Sequence, residues 1–267
     1  MLKEGRMSDD LSRMGAARVV AFIDETGRQV IEKCPVGDVE YHFYHHAARE
    51  LAGAGVQTPA LLAASPERRK LTLESIPFPL DQNAVADDDV LAMLARLHLY
   101  PAHPAWRYHD HDWSASALEA SLALLALPDK SARQLRHFHR HSDVLFYPHG
   151  LISGDSNAGN WGRRENGDLV LFDWERFGRG HPAIDLAPLI KGMGTPQAFI
   201  QLAERYARLT SKHDVNELAR AIAIAKAWIV TEVVTLLHQR QKTALPVYLD
   251  WYRENLPGWL EETVIMV

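Results

Sequence analysis

The sequence predicts an α+β chain: a small β-rich lobe, a short connection, and a larger, mainly helical lobe. Three observations carry this. Residues 18–34 hold two β-like runs around a Gly turn, residues 77–80 hold two prolines, and helical periodicity dominates from residue 81 onward. The boundaries expected are 1–76 for the first lobe, 77–80 for the connection and 81–267 for the second. The 267 residues, 47% apolar and 24% charged, suffice for a sizeable core and exclude disorder, collagen and coiled coil. The formal charge of −5 gives no electrostatic reason to expect nucleic acid or an anionic membrane as partner.

In chain order, residues 18–24 (R-V-V-A-F-I-D) and 29–34 (Q-V-I-E-K-C) read as strands joined by the turn Glu25-Thr26-Gly27-Arg28. Pro35 and Gly37 break the second strand. Asp38 is placed to cap a helix reaching about residue 54, because Val39, Phe43, Ala47 and Leu51 recur every four residues and mark one buried face. Residues 60–64 and 70–76 read as further strands. Residues 89–99, 114–127 and 131–141 follow as helices. A polar island with two strands spans 149–175, and helices return at 196–209, 215–242 and 246–254. The apolar stretch 218–237 is interrupted by Arg220, Lys226 and Glu232, so it reads as a buried or amphipathic helix rather than a membrane span. Residues 1–11 carry no apolar signal core, and Cys34 is the one cysteine, so a reducing, cytoplasmic setting is expected.

The island concentrates the chemistry. It reads L-I-S-G-D-S-N-A-G-N-W-G from Leu151, then L-V-L-F-D-W-E from Leu169. Asp155 and Asn160 share a Gly-flanked loop, where each alone could be a turn former. Asp173 closes an apolar strand thirteen residues after Asn160. A hairpin that brings two carboxylates and an amide together makes an all-oxygen site suited to a hard cation such as Mg²⁺. A carboxylate free of metal can orient or deprotonate a hydroxyl. Phosphoryl transfer from ATP needs both.

Gly154-Asp155 with Asn160, then Phe172-Asp173-Trp174-Glu175, then Pro182-Ala183-Ile184-Asp185-Leu186-Ala187 resembles the aminoglycoside phosphotransferase and choline kinase-like superfamily. The resemblance implies a protein-kinase-like two-lobed fold and ATP-dependent phosphorylation of a small-molecule hydroxyl, with an aminoglycoside-like or amino-alcohol acceptor. It implies Asp155 as catalytic carboxylate, Asn160 and Asp173 as Mg²⁺ ligands, and Asp185 as support for the catalytic loop. Lys33 matches the phosphate-binding lysine and Glu40 its acidic partner. Glu74 and Ile76 fall where backbone groups meet adenine, and Glu175 fits the pattern without an assigned role.

Three departures are visible. Ser153 stands where the family usually has His. The loop expected over the phosphates, between Ser12 and Val19, has one Gly. The segment after Asp185 is short. The first two motivate an alternative, a non-catalytic nucleotide-binding module. His109-Asp110-His111-Asp112 and the His137, His139, His141 run are expected to be exposed polar segments rather than a zinc site, since neither shows a third ligand set. Gly178-Arg179-Gly180-His181-Pro182-Ala183 lacks the βαβ context of a dinucleotide motif. The late aromatics Trp228, Tyr248, Trp251, Tyr252 and Trp259 read mostly as core, with Glu232, Asp250 and Glu254 as acids on a solvated face.

Overall fold

The computed structural model describes residues 9–10 and 17–267. The first lobe is one antiparallel sheet of β1 (Asp9–Asp10), β2 (Arg18–Ile23), β3 (Gln29–Cys34), β4 (Leu61–Ser65) and β5 (Lys70–Glu74), in the order β1-β2-β3-β5-β4. The expected hairpin forms, with Val19 opposite Lys33 and Ile23 opposite Gln29. Its turn is tied by Asp24, whose Oδ1 accepts from the amides of Thr26 (2.8 Å) and Arg28 (3.0 Å). Gly27 takes φ +84°, a conformation favouring glycine. The expected phosphate-covering loop lies mostly outside the described residues.

Helical residues follow β3 as α1 (Asp38–His42), a π-helical turn Phe43–Ala47 and α2 (Ala48–Gly53). The helix starts one residue earlier than expected: Gly37 is the N-cap and Asp38 the first helical residue. The Asp38 carboxylate pairs instead with Arg69, and with Arg107 at 3.5 Å. The proline connection is also stapled down. β6 (Phe78–Pro79) pairs with β8 (Trp161–Arg163), and the Leu80 amide donates to the Trp161 carbonyl at 2.9 Å. Proline fits there because an edge strand does not require its missing N–H.

The second region is built on α3 (Asp88–Leu99), α4 (Ala115–Leu125), α5 (Asp129–Arg140) and α6 (Asp143–Phe146), then α7 (Ala183–Leu186), α8 (Pro196–Thr210), α9 (Val215–Gln239) and α10 (Leu245–Thr263). Side-chain caps open three of them. Ser114 accepts from the Ala117 amide, Thr195 from Ala198, and Asp214 from Asn216 and Glu217. Helix α10 runs past residue 254 and through Pro257, because Leu256, Trp259 and Leu260 beyond that point are buried and Trp259 stacks on Phe138 of α5. Tertiary packing outweighs the lost helical hydrogen bond.

Helix α9 is long and apolar enough to cross a membrane by composition, but 67% of its apolar window is buried inside the protein. Its interrupting charges all have partners. Lys226 donates to the Ile190 carbonyl (2.8 Å), Arg220 to that of Val267 (2.9 Å), and Glu232 pairs with Arg176 (2.5 Å).

The island holds more strands than the two expected. β7 (Gly150–Ile152) pairs with β10 (Gly178–Gly180), and β8 pairs with β9 (Leu169–Leu171). Three-residue strands carry too little periodicity to be read in sequence.

Candidate active site

Three elements deliver the polar residues to one place. Strand β3 ends at Lys33 and Cys34, α1 presents Glu40, and the β8–β9 hairpin carries Asn160 just before it and Asp173 just after it. The Lys33 ammonium donates to Glu40 Oε1 at 2.6 Å and to Asp173 Oδ1 at 2.9 Å, joining residues 140 positions apart. Lys33 and Glu40 are both buried. Burial opposes the lysine charge, but the two carboxylates outweigh it and hold its pKa above the ordinary lysine value. Burial pushes the Glu40 carboxyl up to about 7, against the pull of Lys33.

Aromatic packing sets this register. Phe43, one turn along from Glu40, stacks on Trp174 with centroids 4.1 Å apart and planes at 11°, and meets Phe177 at 4.9 Å. Both Phe43 and Trp174 are fully buried. The residue before Trp174 is Asp173, at φ +66°, ψ 70°. A left-handed non-glycine residue at a strand end is a strained conformation of the kind that clusters at functional sites.

Asp155 lies in the loop after β7 and is part-buried. Its Oδ1 accepts from Asn157 Nδ2 at 2.6 Å, and its carbonyl accepts from Asn160 Nδ2 at 2.8 Å. That second bond uses the amide nitrogen of Asn160 and leaves its carbonyl oxygen free to turn elsewhere. Burial and the negative charge of Asp173 push the Asp155 carboxyl up to about 6. Asn160 and Asp173 together offer an amide and a carboxylate oxygen, the hard donors a magnesium ion takes.

The loop before Asp155 is held from below by Asp185, which is fully buried. Its Oδ1 accepts from Ser153 Oγ and the Gly154 amide, both at 2.9 Å. Its Oδ2 accepts from the Ser153 amide (2.7 Å) and from His98 Nε2 (3.1 Å). Four donors compensate for removing a carboxylate from water. Ser153, the departure noted in the sequence, thus contributes two of the four. An imidazole is present as well, supplied by α3 through His98.

Gly154 is at φ +77°, and a Cβ there would fall 2.3 Å from the Arg176 carbonyl oxygen and 2.8 Å from His111 Cε1. His111 is buried, with Nε2 donating to the Arg176 carbonyl at 2.9 Å. The expectation that the 109–112 segment is exposed and merely polar is therefore corrected for His111, which packs under the loop. His139, similarly, is part-buried and donates to the Trp113 carbonyl at 2.8 Å.

Glu74 has partners that its sequence position did not announce. Its amide donates to the Ala60 carbonyl at 2.9 Å, and its carboxylate pairs with Arg164 at 2.7 and 2.8 Å, so both are committed within the protein. Arg164 also reaches the Thr58 carbonyl (2.9 Å), tying the β8–β9 hairpin to the first sheet. Ile76 lies just beyond β5, its Cγ2 2.7 Å from where a Gly162 side chain would begin. Glu175 is 3.7 Å from Arg240, and Glu232 is held by Arg176 rather than lying on a solvated face.

Sequence reasoning missed His98, Arg164 and Arg176. Each acts on a residue 22 or more positions away, and no local spacing announces such a pairing. The three-residue offset from Glu40 to Phe43 was the one available signal for the aromatic anchor.

A family model described as the phosphotransferase enzyme family, APH, matches residues 13–221, well over half of the chain. The chain belongs to the phosphotransferase enzyme family. Its structural neighbours share the protein-kinase-like fold. Choline kinase LicA from Streptococcus pneumoniae has a TM-score of 0.66, 16% identity, and coverage of 98% of this chain and 94% of that one. The GDP and kanamycin complex of APH(2″)-IIIa has a TM-score of 0.70, 14% identity and coverage of 98% and 94%. Macrolide 2′-phosphotransferase type I has a TM-score of 0.63, 16% identity and coverage of 96% and 91%. No curated protein sequence matches. As a member of this family the protein is a small-molecule phosphotransferase.

Proposed function

We propose that this phosphotransferase moves the γ-phosphoryl group of ATP to a hydroxyl of a small molecule, with an aminoglycoside-like or amino-alcohol acceptor, in the cytoplasm. The observation that carries the reading is the Lys33 ammonium held between Glu40 and Asp173, with Asp155 close enough for the Asp173 charge to raise its pKa.

In this reading Lys33 binds the α- and β-phosphates, and Glu40 fixes it there. Asn160 and Asp173 would hold a magnesium ion, which when bound neutralises phosphate charge. Ile76 flanks the adenine, and Glu74 positions that stretch through Arg164. Asp155 accepts the acceptor's hydroxyl proton as that oxygen bonds to the γ-phosphorus. The bond from phosphorus to the β–γ bridging oxygen breaks, and ADP leaves. The protein supplies position and charge rather than covalent chemistry. Asp185 holds the loop and touches no substrate.

Ser153 bears on the non-catalytic alternative. Its side chain and amide both bind Asp185, so the loop keeps its support without the usual histidine. The test is ADP release from Mg·ATP across aminoglycosides, macrolides, amino alcohols and sugars. Acceptor-dependent release that disappears in Asp155→Asn is expected. Nucleotide binding without turnover on any acceptor would favour the non-catalytic module.

A further inference from the structure

Beyond the Asp185 network lies a cavity of about 610 Å³ whose walls include the imidazoles of His98, His149, His181 and His213. They arrive from the end of α3, the residue before β7, the residue after β10 and the α8–α9 connection. Only His98 touches the site described above. The rings stand edge to face: His149 and His181 have centroids 4.9 Å apart at 88°, and His181 and His213 5.8 Å apart at 63°.

Such a cluster can hold a metal through ring lone pairs or an anion through ring N–H groups. The tautomer of His181 decides between them. Its Nδ1 accepts the Ala183 amide hydrogen at 3.1 Å, so the proton of the neutral ring sits on Nε2. Burial keeps the ring neutral, pushing its pKa down to about 3. His181 is only 7% exposed, and no acceptor among the described residues meets Nε2–H. A metal would need a lone pair at that atom. Among the described residues no group of three His, Cys, Asp or Glu side chains is placed to hold one.

Positive charge lies alongside. Lys212 lines the cavity and is exposed. Arg220 lines it too. Its Nη2 donates to the Val267 carbonyl (2.9 Å) and His141 Nδ1 (3.2 Å), while its buried Nε has no partner. Two acids share the wall, Asp214 and Glu217. Asp214 Oδ1 is engaged by two amides at the start of α9, and Glu217 is exposed.

We infer that this cavity binds a small organic molecule through an oxyanion, phosphate or carboxylate, received by His181 Nε2–H and neutralised by Lys212 and Arg220. The volume falls within the roughly 300–1,000 Å³ of small-molecule pockets and calls for a body larger than the bare anion. The site is one hydrogen bond from the catalytic loop support, because His98 in its wall bonds Asp185 at 3.1 Å, and Tyr206, also in the wall, holds His98 Nδ1 at 2.6 Å.

The test titrates inorganic phosphate and, separately, citrate into the full chain at constant ionic strength. It is followed by calorimetry and by the ¹⁵N ring shifts of His181 and His213. One saturable site is expected for at least one anion, and which one binds identifies the oxyanion. The free protein is expected to show His181 as the Nε2–H tautomer. Affinity is expected to fall about tenfold in His181→Ala and in the surface variant Lys212→Ala, as a lost charge-assisted hydrogen bond requires. Absence of saturable binding by either anion, an Nδ1–H tautomer, unchanged affinity in Lys212→Ala, or zinc binding at these rings would overturn the assignment. No nucleotide or acceptor enters the measurement, so it succeeds or fails independently of the phosphotransfer reading.

Discussion

At the scale of single residues, Asp155 carries two opposed demands. A carboxyl raised to about 6 is a better proton acceptor than an ordinary aspartate and is still ionised at neutral pH. Turnover is therefore expected to decline on the acid side with an apparent pKa near 6, since protonated Asp155 cannot take the hydroxyl proton. Asp155→Asn is expected to lower kcat by roughly 10²–10⁴-fold and to erase that acid limb; a pH–rate profile checks both. The same shift means that ionising Asp155 disfavours the folded state as pH rises from the unfolded value toward 6. At pH 7, Asp155→Asn is thus expected to raise the urea midpoint even as it removes activity. Ser153 is tested separately. Ser153→Ala leaves one Asp185 lone pair without its hydroxyl donor, and an equilibrium stability loss of about 1–3 kcal/mol is expected. The serine was legible as a departure from the family pattern, and the resemblance implied Asp185 as support for its loop; that Ser153 gives Asp185 both its hydroxyl and its amide was not legible, because the two lie 32 positions apart.

At the scale of elements, the α1–π–α2 segment works because one face serves two purposes. Glu40 holds Lys33, and three residues on Phe43 stacks against Trp174, beside Asp173. Phe43→Ala is expected to cost about 3–5 kcal/mol in denaturant unfolding. It should also raise the nucleotide KM, because the helix that orients Lys33 loses its anchor. Helix α9 contains a buried lysine, and burial pushes Lys226 down to about 7. An unfolded chain then binds more protons than the folded one between pH 7 and the ordinary lysine value, so stability should rise with pH across that window. Lys226→Met is expected to flatten the slope, measured by thermal or urea unfolding at several pH values. The periodicity that marked these helices was plain in the sequence. Their ends were less so: Gly37 replaced Asp38 as cap, and α10 continued through Pro257. Capping depends on which partner a carboxylate finds, and the effect of a proline depends on what is buried beyond it.

For the whole molecule, the lobes meet through long-range polar ties rather than a plain linker. Lys33 bridges to Asp173, Glu74 to Arg164, and β6 joins the island by pairing with β8. Breaking the buried Lys33 contact leaves Glu40 uncompensated, so Lys33→Ala is expected to destabilise by about 3–5 kcal/mol as well as weaken nucleotide binding. The α+β class, the hairpin, the order of helices and the short motifs that carry Asp155, Asn160 and Asp173 were legible in the sequence itself. Periodicity, turn residues and short motif spacings are local properties that the chain carries before it folds. Only the tertiary structure decided that Glu74 holds an arginine, that His111 is buried, and that His98 and Ser153 share one carboxylate. Only it brought His98, His149, His181 and His213 to the wall of one cavity. Those arrangements join residues tens of positions apart, and the free energy that selects them comes from desolvation and packing, which exist only once the chain has closed on itself.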